Sequence, residues 1–140
     1  MLKTTSQLLS HHQSLEETQA EYHTALAEKY PEHSDVFNKL AKDNRRHMDM
    51  AQRAYREGVT DAFEVGFLAE ELDPAKYRLV EPKGDFTTEV KTMISNEEKI
   101  IAFCGDAASN SSKLLPDVPE TFERLVKRKK RSIEKMRELA

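Results

Sequence analysis

Little in this chain can cross-link, kink or interrupt it. Its one cysteine, Cys104, excludes an intramolecular disulfide and fits a reducing cytosol. Tryptophan is absent, and four Gly and five Pro among 140 residues are consistent with long helices. No apolar run follows Met1 that is long enough for a signal peptide, and none approaches the ~20 residues of a membrane span. A formal charge of −3 is too small to imply nucleic acid or a membrane surface as partner. The expectation is a soluble cytoplasmic protein. What is present is 38% hydrophobic and 34% charged residues, with a mean hydropathy of −0.73. That suits a single domain over residues 1–140 whose long helices keep solvated outer faces.

Apolar residues recur at helical spacing in four places. The first segment, about 5–30, aligns Leu8, Leu15, Tyr22 and Leu26 and stops before Pro31. A second, about 34–57, follows Ser34 as N-cap and runs Phe37, Leu40, Ala41, Met48, Ala51, Tyr55, with Gly58 at its C-terminal cap. The third, about 85–113, carries Val90, Met93, Ile94, Ile100, Ile101, Cys104 and Ala107. Asp117 and Glu120 read as a capping box before the fourth, about 118–139, with Phe122, Leu125, Val126, Ile133, Met136 and Leu139. Short links make the first two helices antiparallel neighbours, and likewise the last two. Residues 58–84 form a long crossover, with a short helix expected at about 61–72 behind an Asp61-x-x-Glu64 capping box. No strand-like alternation competes. The architecture implied is all-α: an antiparallel four-helix bundle of ferritin-like topology.

Polar residues interrupt the inward faces. Glu16 and Gln19 sit between Leu15 and Tyr22, with His12 and His23 a turn to either side. Asn44 and His47 lie between Leu40 and Ala51, Glu97 between Ile94 and Ile101, and Lys129 between Leu125 and Ile133. In an antiparallel bundle helix midpoints coincide, so these groups should meet in one layer. Residues 37–47 also lie over residues 122–132 without a gap, an offset of 85 that puts Pro31 on Pro116 and Asp49 on Glu134.

Leu15-Glu16-x-x-Gln19-x-x-Tyr22-His23, and Glu97-x-x-Ile100-x-x-Phe103-Cys104 on the third helix, resemble the corresponding motifs of the rubrerythrin-type ferritin-like family. Such di-iron bundles use one Glu from each of two helices and Glu-x-x-His from each of the other two. The resemblance implies that Glu16, His47 and Glu97 occupy metal-ligand positions and keep a ligand type. Asn44 and Lys129 fall where the family has bridging Glu, and Ser132 where it has His. His23 and Cys104 stand where the family has Tyr, and the paired Cys-x-x-Cys motifs of a rubredoxin-like tail are absent.

An ammonium beside a divalent cation is strongly repelled in a protein interior. Lys129 is therefore expected to stand where metal charge stood, flanked by Glu16 and Glu97, with Asn44, Ser132 and a protonated His47 completing a neutral cluster. The function implied is non-catalytic, acting by binding or assembly as a homo-oligomer, a dimer, with no resident cofactor. The alternative is an iron-dependent oxidase or peroxidase using Glu16, His47 and Glu97. Phe63 and Phe67 of the crossover supply an apolar contact surface. His12 is read as partly exposed, His23 as a core filler and Cys104 as a small packed hydrophobe. The run Lys127, Arg128, Lys129, Lys130, Arg131 points around the whole helix, with Glu120, Glu123, Glu134 and Glu138 in reach, so it is not one basic face.

Overall fold

The computed structural model describes residues 1–58, 66–111 and 115–140. Strand β1 (Leu2–Thr4) leads into α1 (Thr5–Lys29). Thr4 caps that helix by accepting from the Gln7 amide at 3.2 Å while the Gln7 side chain accepts from the Thr4 amide at 3.3 Å. A 3-10 turn at Pro31–His33 runs straight into α2 (Ser34–Gly58). Ser34 itself has helical dihedrals (φ −58°, ψ −39°), so it is not the N-cap expected of it. Strand β2 (Phe67–Leu72) and a 3-10 turn at Pro74–Tyr77 precede α3 (Phe86–Asn110). Gly84, at φ 111°, makes the turn into that helix. Asp85 caps it, accepting from the Thr88 amide at 2.8 Å. The last helix is α4 (Asp117–Arg137). Pro116, already helical, occupies its cap position without a side-chain bond, so the Asp117–Glu120 capping box is not formed.

The four helices form an antiparallel bundle. α1 packs chiefly on α2 and α3 chiefly on α4, while α2–α4 and α1–α3 contacts close the square. Pairings along the helices set the directions. Between α1 and α2, Gln52 meets Leu9 and Arg45 meets Glu17. Between α1 and α3, Lys29 meets Glu89 at one end and the rings of His12 and Phe103 stack at the other. Lys129 meets Glu97 and Phe122 meets Phe103 between α4 and α3. α2 and α3 therefore run the same way, and the chain between them must return along the bundle, roughly 37 Å for a 25-residue helix.

That return crosses α3. Tyr77 donates its hydroxyl to Asp106, and the Lys99 ammonium donates to the Arg78 carbonyl at 2.8 Å. Asn96 then grips Val80 by both its amide and its carbonyl, each at 2.9 Å. The helix expected over 61–72 is not what its described part shows: residues 67–72 are strand, paired antiparallel with β1 (Leu2 opposite Leu72, Thr4 opposite Phe67). Three residues on one strand span six on the other, so the pairing is bulged. Leu68 and Leu72 both turn inward, and their spacing of four imitates a helix. Pairing with the chain's first residues overrides that local pattern. Phe67 is 82% exposed; Phe63 and the Asp61–Glu64 capping box lie outside the described residues.

The apolar core has two halves. One gathers Leu8, Leu15, Tyr77, Ile100, Phe103, Phe122 and Leu125 among others; the other gathers Leu26, Phe37, Leu40, Val90, Met93 and Met136. A layer of buried polar side chains lies between them.

Candidate functional site: a lysine-centred polar layer

Each helix delivers its part of the layer from an interrupted apolar stripe. α1 aims His12, Glu16, Gln19 and His23 inward at spacings of four, three and four, one face of a helix. α2 supplies Asn44 and His47, α3 supplies Asn96 and Glu97, and α4 supplies Lys129. All are buried. Their neighbours settle the helix phase: the Glu17 side chain is 40% exposed and pairs with Arg45, and that of Glu98 is 57% exposed.

Lys129 is at the centre, 1% exposed. Its Nζ donates to Glu16 Oε1 at 2.7 Å and to Glu97 Oε1 at 2.8 Å. Asn44 Nδ2 donates to the same two acids, at 2.9 Å to Glu16 Oε1 and 3.1 Å to Glu97 Oε2. Asn44 Oδ1 in turn lies 3.0 Å from His23 Nδ1, which must carry the hydrogen because the amide oxygen only accepts. His12 Nε2 closes the set 2.8 Å from Glu16 Oε2. Every carboxylate oxygen of the layer therefore has a donor, as burial demands.

Electrostatics follow from this arrangement. Burial alone pushes the Glu16 carboxyl up, but the Lys129 ammonium, and after it the His12 hydrogen bond, hold it well below the usual range. Burial pulls Lys129 down, and Glu16 and then Glu97 more than reverse this, keeping the ammonium charged. His47 is lowered to about 4, by burial first and by Lys129 second. It is neutral at neutral pH, which corrects the protonated His47 expected from sequence. His47 therefore adds no charge to offset the two acids; Lys129 does so, and His12 and Asn44 add hydrogen bonds to them. His23 is also lowered to about 4, mainly by burial. His12 Nδ1, His23 Nε2 and His47 Nδ1 are buried with no hydrogen-bond partner among the described residues.

Four residues of the expected cluster meet: Glu16, Asn44, Glu97 and Lys129. His47 is adjacent but makes no hydrogen bond to them, and Ser132 is half-buried in a cleft beside Val36, Leu40 and Met136. Ser132, three residues beyond Lys129 and about 60° from it around the helix, lies at the margin of the inward face and lines that cleft instead of joining the layer. His12 is fully buried on Glu16, not partly exposed; the i, i+4 spacing was its signal. Gln19 and Asn96 serve the crossover instead, joined at 3.1 Å, while Gln19 also donates to the Met93 carbonyl at 3.1 Å. Cys104 packs buried in the apolar half around Phe103, its thiol pushed up by burial first and then by Glu16.

The donor set does not fit the di-iron centre that the family resemblance implies. The two acids that would hold it spend one oxygen each on Lys129 and share Asn44, and an ammonium at that point repels a divalent cation. Among the described residues no group of three or more His, Cys, Asp or Glu side chains is arranged to hold an ion. Comparison with protein-family models, with curated proteins and with solved structures finds no match.

Proposed function

We propose that this chain is a rubrerythrin-related, ferritin-like bundle whose metal layer is rebuilt around a lysine, and that it acts by binding or assembly, not by turnover. The observation that carries the reading is Lys129 Nζ between Glu16 and Glu97. Support for the descent comes from the offset of 85: Phe37 and Phe122, Leu40 and Leu125, and Asn44 and Lys129 are equivalent by that register, and all six are buried. The crossover between parallel α2 and α3 is the connection a ferritin-like bundle requires. A substrate has no use for carboxylates that are buried and already engaged, so the layer holds helices together and the outer surface meets partners.

No resident metal or cofactor is part of this reading, and the setting proposed is the cytoplasm. Described helices include none long and apolar enough to cross a membrane. Assembly is proposed as a homodimer through the crossover, where Phe67 exposes most of its ring on a two-stranded ribbon whose outer edge is unpaired among the described residues. Metal analysis of protein grown in iron-supplemented medium is the test. A content of about two irons per chain, or an oxo-bridge absorption band, refutes the proposal and restores an iron-dependent oxidoreductase.

A further inference from the structure

We infer that Lys129 and Asn44 become joined by an intramolecular amide, an isopeptide bond formed inside the buried layer and tying α4 to α2. The inference rests on the proposal that lysine, not metal, fills this layer. A lysine ammonium, the source of an amine nucleophile once it gives up a proton, and a carboxamide are held together here, both buried and both bridged by the same two acids. Because Glu16 Oε1 accepts from Lys129 Nζ at 2.7 Å and from Asn44 Nδ2 at 2.9 Å, the two nitrogens cannot lie further apart than the sum of those distances. Tethering of this kind raises effective concentration by orders of magnitude.

The remaining chemistry is also supplied. The His23 Nδ1 hydrogen on Asn44 Oδ1 polarises the amide carbonyl and receives the charge that develops on its oxygen. Glu97, in contact with both nitrogens, is placed to move protons between them. One proton passes from the Lys129 ammonium to Glu97, leaving a neutral amine whose lone pair attacks the Asn44 side-chain carbonyl carbon. The tetrahedral adduct collapses as the C–Nδ2 bond breaks. Nδ2 departs with its own two hydrogens and one more relayed through the carboxylates, as ammonia. Of the three ammonium hydrogens, one remains on the new amide, one leaves in the ammonia and one stays shared between Glu16 and Glu97. No oxidant or other co-reactant is needed, and burial excludes the water that would hydrolyse Asn44 instead. The bond joins equivalent positions of the two related helices, since 44 and 129 are themselves 85 apart.

Intact mass under denaturing conditions tests this, on wild-type protein fresh from cells and after prolonged incubation at neutral pH, with metal content measured on the same samples. The expected result is a species lighter by one ammonia, predominant in the aged sample. Proteolysis should then yield a branched peptide linking the Asn44 and Lys129 segments. Asn44→Ala and Lys129→Arg should abolish the shift, and Glu97→Gln should slow it at least tenfold. If those variants fail to fold, the wild-type mass and peptide map alone decide. The sequence mass at every time, a gain from hydrolysis of Asn44, or an ammonia loss mapped elsewhere overturns the inference. In a metal-free sample such a result sinks the bond and leaves the proposed function standing; bound iron sinks the proposed function itself.

Discussion

Replacing Lys129 with methionine keeps the length and most of the volume of the side chain and deletes one charge. Glu16 and Glu97, both buried, then face each other without the ammonium that bridges them at 2.7 and 2.8 Å. Removing one partner from a buried ion pair costs about 3–5 kcal/mol, and two acids lose their partner here, so the upper part of that range applies. The reference is wild-type protein of full sequence mass. Urea unfolding followed by helical circular dichroism at about pH 7 should show a cost of that size. Acid gives a second signature, opposite in sign in the two proteins. In the wild type the Glu16 carboxyl is depressed, so its contribution is complete above the unfolded value of about 4.3 and is lost as pH falls toward the folded one. Without Lys129 the largest opposing influence is gone and burial dominates, raising the carboxyl. The folded variant then binds protons more readily than the unfolded chain, and its deficit shrinks as pH falls from neutral toward the unfolded value of about 4.3. A variant matching full-mass wild type in midpoint at neutral pH, or showing a deficit independent of pH, refutes the charge assignment of the layer.

Three further outcomes are expected. His23 and His47, lowered to about 4, favour the folded state fully above the unfolded value of about 6.5 and lose that contribution as pH falls through about 4. Each proton is worth about 1.4 kcal/mol per pH unit in that window, so His47→Leu should make the acid limb of a stability–pH curve shallower by about that slope. Asn96→Ala strips Val80 of two hydrogen bonds at 2.9 Å; a loss of about 1–3 kcal/mol and faster amide hydrogen exchange at Val80 should follow, and unchanged exchange would show that the crossover is held elsewhere. Phe67→Glu places a charge on the most exposed aromatic surface of the described chain. Light scattering should then report half the wild-type mass, and an unchanged mass removes that surface from the assembly.

The parts of the fold legible in the sequence are those set by local periodicity. The apolar stripes of all four helices, and the polar residues that break them, can be read from spacing because a helix fixes which residues share a face. What depends on distant partners is not legible in this way. β2 owes its form to residues 2–4, more than sixty positions away, and its two inward leucines sit at a helical interval. The protonation of His47 depends on depth and on the nearness of Lys129, which no spacing encodes. Asn96 was hidden beside Glu97: adjacent residues on a helix point about 100° apart, and both are buried only because the crossover covers that side of α3.

A buried layer of this kind is weak evidence for stability, since well-packed apolar residues in its place are often neutral or better. Its stronger effect is on register. The two apolar halves of the core would tolerate sliding, because one leucine or phenylalanine packs acceptably against another. Lys129 does not share that tolerance: moved one helical turn, about 5.4 Å, its ammonium faces Leu125 or Ile133 neighbours in place of carboxylates. Every such slip leaves a buried charge unpaired, at a cost of several kcal/mol. The same argument applies to Glu16 on α1 and Glu97 on α3, while Asn44, bonded to both, pins α2. One layer thus fixes the axial position of all four helices, including the two joined only by the crossover, where no short loop can do so.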